Sequence, residues 1–218
     1  AATRTVPIVF VRVGDPVAAG ITAAVARPGG NVTGVSSLST DLVPKRLELL
    51  KTVFPSVRRV WAVYHADDRS SLAATRKAQE VAPLLKLELI AQAVRTPEEL
   101  VSHLRGIRPG DGLLVPPAVT MNIPRVILDL ERFSRVPAVH FAAFWVQTGG
   151  LMSYGSDFYD DGFQAARLVG KILKGARPQD LPVEGANRIQ LAVNLKTARS
   201  LGVTIPREVL TRADRVIE

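Results

Sequence analysis

The sequence predicts an α/β protein of two lobes, each built on a parallel sheet flanked by helices. Three observations predict it. Short apolar runs rich in β-branched residues alternate with amphipathic stretches, the pattern of parallel strands joined by helical crossovers. The first of these runs is apolar throughout rather than alternating, as a strand covered on both faces is. The third is the stretch Gly149-Gly150-Leu151-Met152-Ser153-Tyr154-Gly155-Ser156-Asp157, which sets a short apolar run between glycines and then opens a long amphipathic segment, Phe158 to Lys174. It reads as a strand leaving one compact unit and handing the chain to a helix of another, with glycines tolerating the backbone angles of the crossover.

Taken in order, Val6 to Val13 (VPIVFVRV) reads as a buried interior strand. Gly14-Asp15-Pro16 then supplies a turn, a helix cap and a proline at the first helical position. The helix is expected to reach about Arg27, where Pro28-Gly29-Gly30 stops it. Asn31 to Ser37 is a second strand, and Asp41 to Phe54 a helix with Leu47, Leu50 and Val53 on one face. A new series begins with a strand at Arg59 to Tyr64, a polar loop at His65 to Ser70, a helix to about Leu85 and a strand at Leu87 to Ala93. Thr96-Pro97-Glu98-Glu99 has the form of a capping box with proline at the first helical position, and its helix ends near Arg105. Gly112 to Pro116 is a strand, followed by a loop and a helix to about Ser134. Val136 to Phe141 is a strand, and Ala142 to Thr148 a helical turn. After the Phe158 helix, Gly175-Ala176-Arg177-Pro178 breaks the chain. Arg188 to Val193 is a strand, Asn194 caps a helix ended by Gly202, and Pro206 to Thr211 is a last turn.

This organisation groups residues 1–57 with a returning helix at 156–176 as the first lobe, and 58–155 with 186–218 as the second. One strand-helix-strand unit before Arg59 is too little to cover both faces of a sheet, so the first lobe reads as incomplete in this chain. Val6 to Val13 wants a neighbour on each edge, and an unpaired apolar edge invites aggregation. The expectation is a trimmed fragment of a longer product, or a homodimer that covers the open lobe.

Composition narrows the function classes. Hydrophobic residues make up 47% of the 218, which is globular, and no apolar run is long enough to cross a bilayer. An exported product would have shed its signal before Ala1. There are no cysteines, which excludes disulfides, thiolate metal sites and cysteine nucleophiles. The formal charge of +8 is scattered, with only short pairs such as Arg58-Arg59 and no basic tail or basic-aromatic run. No nucleic-acid partner is expected, only a mild preference for anionic ligands.

In parallel sheets the ligand sits at the C-terminal strand ends. The candidates delivered there are Asp15, Ser36, Ser37, His65, Ser70, Ser71, Pro116, Phe141 and Phe144, with Tyr154 and Asp157 from the crossover. Hydroxyls, turn backbone and aromatics suit a small polar molecule carrying a ring or a carboxylate. Several also have a purely architectural reading. Asp15 is suited to capping a helix, Phe141 and Phe144 to packing beside Trp145, and Ser70 and Ser71 start a helix whose N–H groups either hold a carboxylate or are simply capped. Asp15, Ser37, Ser70, Phe144 and Tyr154 are expected to face one cleft. His65, His103 and His140 lie far apart without metal-ligand spacing, and no nucleophile elbow, phosphate loop or dinucleotide fingerprint is present. The expectation is therefore no metal, no cofactor and no catalysis.

Eight motifs in order also resemble a family: V-P-I-V-F and V-G-D-P-V-A-A-G within Val6 to Gly20, A-R-P-G-G-N-V-T-G-V-S from Ala26, K-R-L-E-L-L-K from Lys45, G-G-L-M-S-Y-G from Gly149, I-L-K-G-A-R-P-Q-D-L-P-V-E from Ile172, N-L-K-T-A-R-S-L-G from Asn194, and A-D-R-V-I-E at the end. The chain resembles the ABC-transporter substrate-binding proteins of the tryptophan/tyrosine-binding type. That resemblance implies a type I periplasmic-binding-protein fold, with a hinge of crossing segments and a ligand between the lobes. It also implies a periplasmic or membrane-anchored extracytoplasmic location, often as a lipoprotein, and delivery to an ABC permease in the membrane. The implied ligand is an aromatic or branched amino acid or a related carboxylate. Two departures qualify it. Family members carry a further stretch before V-P-I-V-F, and this chain has Ala143 and Phe144 where relatives commonly carry an Arg-Glu pair, which favours a more apolar ligand. Two other classes share the lobe design: the effector-binding module of a transcription regulator, and an enzyme such as an acid racemase or sugar isomerase.

Overall fold

The computed structural model describes residues 3–115 and 124–218. Two sheets organise it. The first holds β1 (Ile8–Val13), β2 (Val32–Ser36) and β8 (Glu184–Gly185), in the order β1-β2-β8 and all parallel. The second has seven strands in the order β10-β9-β7-β6-β5-β3-β4. These are β3 (Arg59–His65), β4 (Glu88–Val94), β5 (Gly112–Leu114), β6 (Ala138–His140), β7 (Met152–Ser156), β9 (Ile189–Asn194) and β10 (Arg215–Ile217). Pairing is parallel from β4 through β7 and between β9 and β10, and antiparallel where β7 meets β9. The fold is therefore the two-lobed, mainly parallel α/β architecture that the sequence predicts.

The second sheet is covered on both faces, so its strands bury both sets of side chains. Val60 and Ala62 of β3, Leu114 and Val139 pack with Leu47 and Leu50 of α1 (Val43–Val53) and Ala74 and Ala78 of α2 (Arg69–Val81). Trp61 and Val63, pointing the other way, pack with Leu100 and Leu104 of α3 (Pro97–Leu104), Ile127 of α4 (Pro124–Ser134) and Trp145 of α5 (Ala143–Gln147). The long helix α6 (Phe158–Leu173) instead lies against β1 and β2 of the first sheet. Short helices α7 (Leu195–Leu201) and α8 (Arg207–Leu210) close the chain around β10.

Four local differences from the sequence reading have identifiable causes. The helix expected from Asp15 to Arg27 does not form. Asp15 does cap one turn, its Oδ1 accepting from Val17 N at 3.1 Å and Ala18 N at 2.9 Å, but Gly20 then enters the left-handed region at φ +71° and the chain proceeds in bends. Helix α1, grouped above with the first lobe, buries its apolar face in the core of the second. Strand β1, read as interior, pairs only with β2 among the described residues, and Ile8 and Val11 are 38% and 41% exposed. Strands β8 and β10 carry too few apolar residues to have signalled themselves.

Candidate functional site

The chain passes between the sheets three times: after β2, after β7 and after β8. The crossings are laced together. Ala186 N donates to Ser36 O at 2.8 Å, and Asp157 N to Arg188 O at 3.0 Å. The C-terminal ends of the parallel strands of both sheets face this junction, which is where ligands bind in such folds.

A hydrogen bond joins the two lobes. Asp15 N, at the end of β1, donates to Ser70 Oγ, in the first turn of α2, at 2.9 Å. Gly14 makes the approach possible. A Cβ there would lie 3.1 Å from Ser70 Oγ and 3.3 Å from Ser39 Cβ, tighter than side chains normally accept. Asp15 and Ser70 are thus brought together as the sequence anticipates.

The other candidates divide. Ser36 is buried and serves its own turn, its Oγ donating to Gly14 O at 3.3 Å and accepting from Leu38 N at 3.2 Å. Ser37 follows it, half-buried, with its N–H on Val13 O. His65 stands at the end of β3 and accepts from Asp67 N at 3.2 Å through Nδ1. The N–H groups of Ser70 and Ser71 are not open to a ligand carboxylate, because Asp68 Oδ1 already accepts both at 2.9 and 3.1 Å. The residue before the serine pair is the cap. Ser71 itself is fully buried, with its hydroxyl unpartnered among the described residues. Phe141 and Phe144 sit edge-on to buried Trp145 at 6.2 and 6.3 Å, and Phe144 is 42% exposed. Pro116 lies outside the described residues.

Tyr154 departs from the one-cleft layout. Along β7 its side chain falls on the same side as Met152, toward α1. There it lines a cavity of about 360 Å³ with Lys45, Glu48, Ile189, Leu191 and Asp214. Asp157 is consumed locally: it caps α6, accepting from Tyr159 N at 2.9 Å, accepts from Gln190 Nε2, and lies 3.7 Å from Arg188 Nε.

Three residues that the sequence reading passed over gather at the junction. Between Val11 and Val13 the β1–β2 register slips, and Arg12 takes φ 65°. Such irregularities re-aim side chains beside sites. The Arg12 guanidinium carbon lies 3.4 Å from the centroid of the Phe158 ring, at the start of α6. One turn on, buried Asp161 accepts from Ser156 Oγ at 2.7 Å through Oδ2, while Oδ1 has no partner among the described residues. Burial is the main cause that raises the Asp161 pKa, against the pull of Ser156 and Arg12. Desolvation lowers that of Arg12, opposed by Asp161. The available signal was a lone arginine inside an otherwise apolar strand.

A family model described as ABC transporter substrate binding protein matches residues 1–217. The chain belongs to that family. It is 28% identical over 206 residues to a tyrosine-binding protein of Clostridioides difficile, covering 92% of this chain and 58% of that protein's length. Among solved structures it is similar to a Streptococcus pneumonia ABC domain in complex with L-Trp, with TM-score 0.90 and 30% identity over 99% of this chain and 75% of that one. It is also similar to a ligand-free, open substrate-binding protein with adhesive properties from Clostridium difficile, with TM-score 0.70 and 25% identity over 99% and 72%. Among the described residues no helix is long and apolar enough to cross a membrane, and no cluster of three metal-ligating side chains occurs.

Proposed function

We propose that this chain is part of the solute-binding component of an ABC importer, acting outside the cytoplasm and delivering its cargo to a membrane permease. The cargo is an aromatic or branched amino acid or a related carboxylate, held between the lobes without turnover. The observation that carries this reading is the junction itself: strand ends of both sheets converge on it, and the lobes meet there through Asp15 and Ser70. The likeness to the L-Trp complex exceeds that to the open relative, at 0.90 against 0.70, as lobes drawn together rather than splayed would give.

The lobes divide at the crossings. Residues 3–36 and 157–185 build the first lobe, and 39–115, 124–155 and 189–218 the second. Closure of such lobes is a hinge motion about the crossing segments. Arg12 and Phe158 give the junction a cation beside a ring, matched to a ligand with a carboxylate and an aromatic side chain.

Calorimetry of the full-length protein against L-tryptophan, L-tyrosine, L-leucine, tryptamine and a set of sugars tests the reading. Amino acids should bind in the micromolar range, about 8 kcal/mol, and be recovered unchanged. Tryptamine, which lacks the carboxylate, should bind at least tenfold more weakly, the scale of one lost charge-assisted bond. Binding to sugars alone, or conversion of the amino acid, would overturn it.

A further inference from the structure

Arg46 is the most deeply buried cation of the described residues, 1% exposed, and no carboxylate there forms an ion pair with it. Its partners are neutral oxygens. Nε donates to Tyr154 O at 2.7 Å, and one terminal nitrogen donates to Ser39 O at 2.9 Å and Ser39 Oγ at 3.2 Å. Burial pushes its pKa down to about 9. A lone guanidinium held this way is costly to bury, so its bonds must do something an apolar side chain would not.

The positions of the acceptors show what. Ser39 lies in the crossing after β2, and Tyr154 lies in β7 just before the second crossing. Arg46 itself is anchored in α1, whose neighbours Leu47 and Leu50 are fully buried in the second lobe. One planar fork thus ties the second-lobe ends of two crossings to one rigid helix, a geometry arginine supplies and lysine does not. Flanking the tie on the first-lobe side, Leu38 adopts φ 53°, a left-handed conformation that costs a leucine strain. Leu38 also packs beside the third crossing, where a Cβ on Gly185 would sit 3.2 Å from its side chain.

We infer that Arg46 is the positioning residue of the hinge: it pins two crossings to the second lobe, confines bending to Ser36–Leu38 and Ser156–Asp157, and thereby sets the balance between open and closed lobes. The inference rests on the two-lobe closing reading above, but its test needs no ligand.

Paired labels go at Lys171→Cys on α6 and Arg76→Cys on α2, both exposed, in the full-length, ligand-free protein; residues 1–218 hold no cysteine, and any outside them is replaced by serine. Interlobe distances are then measured by electron–electron double resonance. Arg46→Met keeps the apolar stem and removes the fork. Its open-to-closed ratio should shift by about tenfold or more, the scale of one lost bond to a charged group. Arg46→Lys keeps the charge but cannot hold both crossings, and should give a smaller shift in the same direction. If Arg46→Met does not fold, Arg46→Lys alone decides, and a native distribution in it overturns the inference. A lower melting temperature with unchanged distances in either folded variant also overturns it, since that is a purely structural role. A shifted distribution in a protein that binds none of the solutes above upholds the inference while removing the proposed cargo.

Discussion

In the seven-stranded sheet the run Val60, Trp61, Ala62 and Val63 is buried from end to end, whereas in the three-stranded sheet Ile8 and Val11 of β1 remain more than a third exposed. The two strands look alike in sequence, both short and apolar. What separates them is cover. Strand β3 has β4 and β5 at its edges and helices on both faces, while β1 has β2 at one edge and α6 as its main helical cover. The second lobe also buries a paired acid and imidazole. Glu131 accepts from Leu151 N at 2.9 Å and lies 3.0 Å from His140 Nε2, with both side chains out of solvent. An apolar strand is thus a statement about intended burial, and the fold around it decides how much is realised.

The largest effect should follow from removing core volume on the well-covered side. Leu50 is fully buried between α1 and the second sheet. Leu50→Ala should cost about 2–5 kcal/mol through lost transfer energy and a residual cavity. Val11→Ala in β1 should cost less than about 1 kcal/mol, since much of that side chain already meets water. Urea denaturation of the two variants measures the difference. Equal losses would mean that β1 is as well covered as β3, and would break the comparison.

The same contrast explains what was legible in advance. The second lobe could be read almost strand by strand, because burial on both faces leaves unbroken runs such as Arg59 to Tyr64 and because caps such as Thr96 announce their helices; Glu99 N does donate to Thr96 Oγ1, at 3.2 Å. The first lobe misled at Pro16 to Arg27, where a good cap and proline were followed by only one turn. The membership of α1 was illegible because an amphipathic helix shows that it has a buried face, not which sheet receives it. Strand-end logic did bring Asp15 and Ser70 to one place, joined by Asp15 N and Ser70 Oγ. The contacts of Arg12 with Phe158 and of Arg46 with Tyr154 could not be read in advance, because each joins residues far apart in sequence.

A smaller effect concerns the boundary between the lobes. Burial holds the folded pKa of Asp161 above its ordinary 3.8. Between the unfolded and the raised folded value the native state therefore binds more protons than the unfolded state. Its contribution to stability must fall as pH rises through that window. Asp161→Asn removes the titration while keeping an oxygen for Ser156 Oγ. Relative to the variant, the native protein should lose stability as pH rises from 3.8 through the raised folded value, read from denaturant midpoints along a pH series. A stability difference that is flat, or that grows with pH in favour of the native protein, would show that burial does not raise the Asp161 pKa.

The smallest effect is expected where the two lobes meet. Ser70 Oγ accepts from Asp15 N at 2.9 Å, and the bond joins the turn after β1 to the first turn of α2. Ser70→Ala leaves Asp68 free to cap α2, since that cap uses backbone N–H groups. The helix should therefore stay formed, and thermal melting of the second lobe should hardly change. What is lost is one hydrogen bond between the lobes, which on the closing reading proposed above forms when they are drawn together. A single neutral hydrogen bond of this kind contributes about 0.5–1.5 kcal/mol, so ligand affinity should fall by roughly two- to tenfold, with the loss appearing mainly in the dissociation rate. Stopped-flow binding of L-tryptophan to the full-length native and variant proteins, with melting curves alongside, separates the two effects. A large drop in melting temperature with unchanged dissociation would assign Ser70 to the fabric of the second lobe, leaving the lobes to close through other contacts.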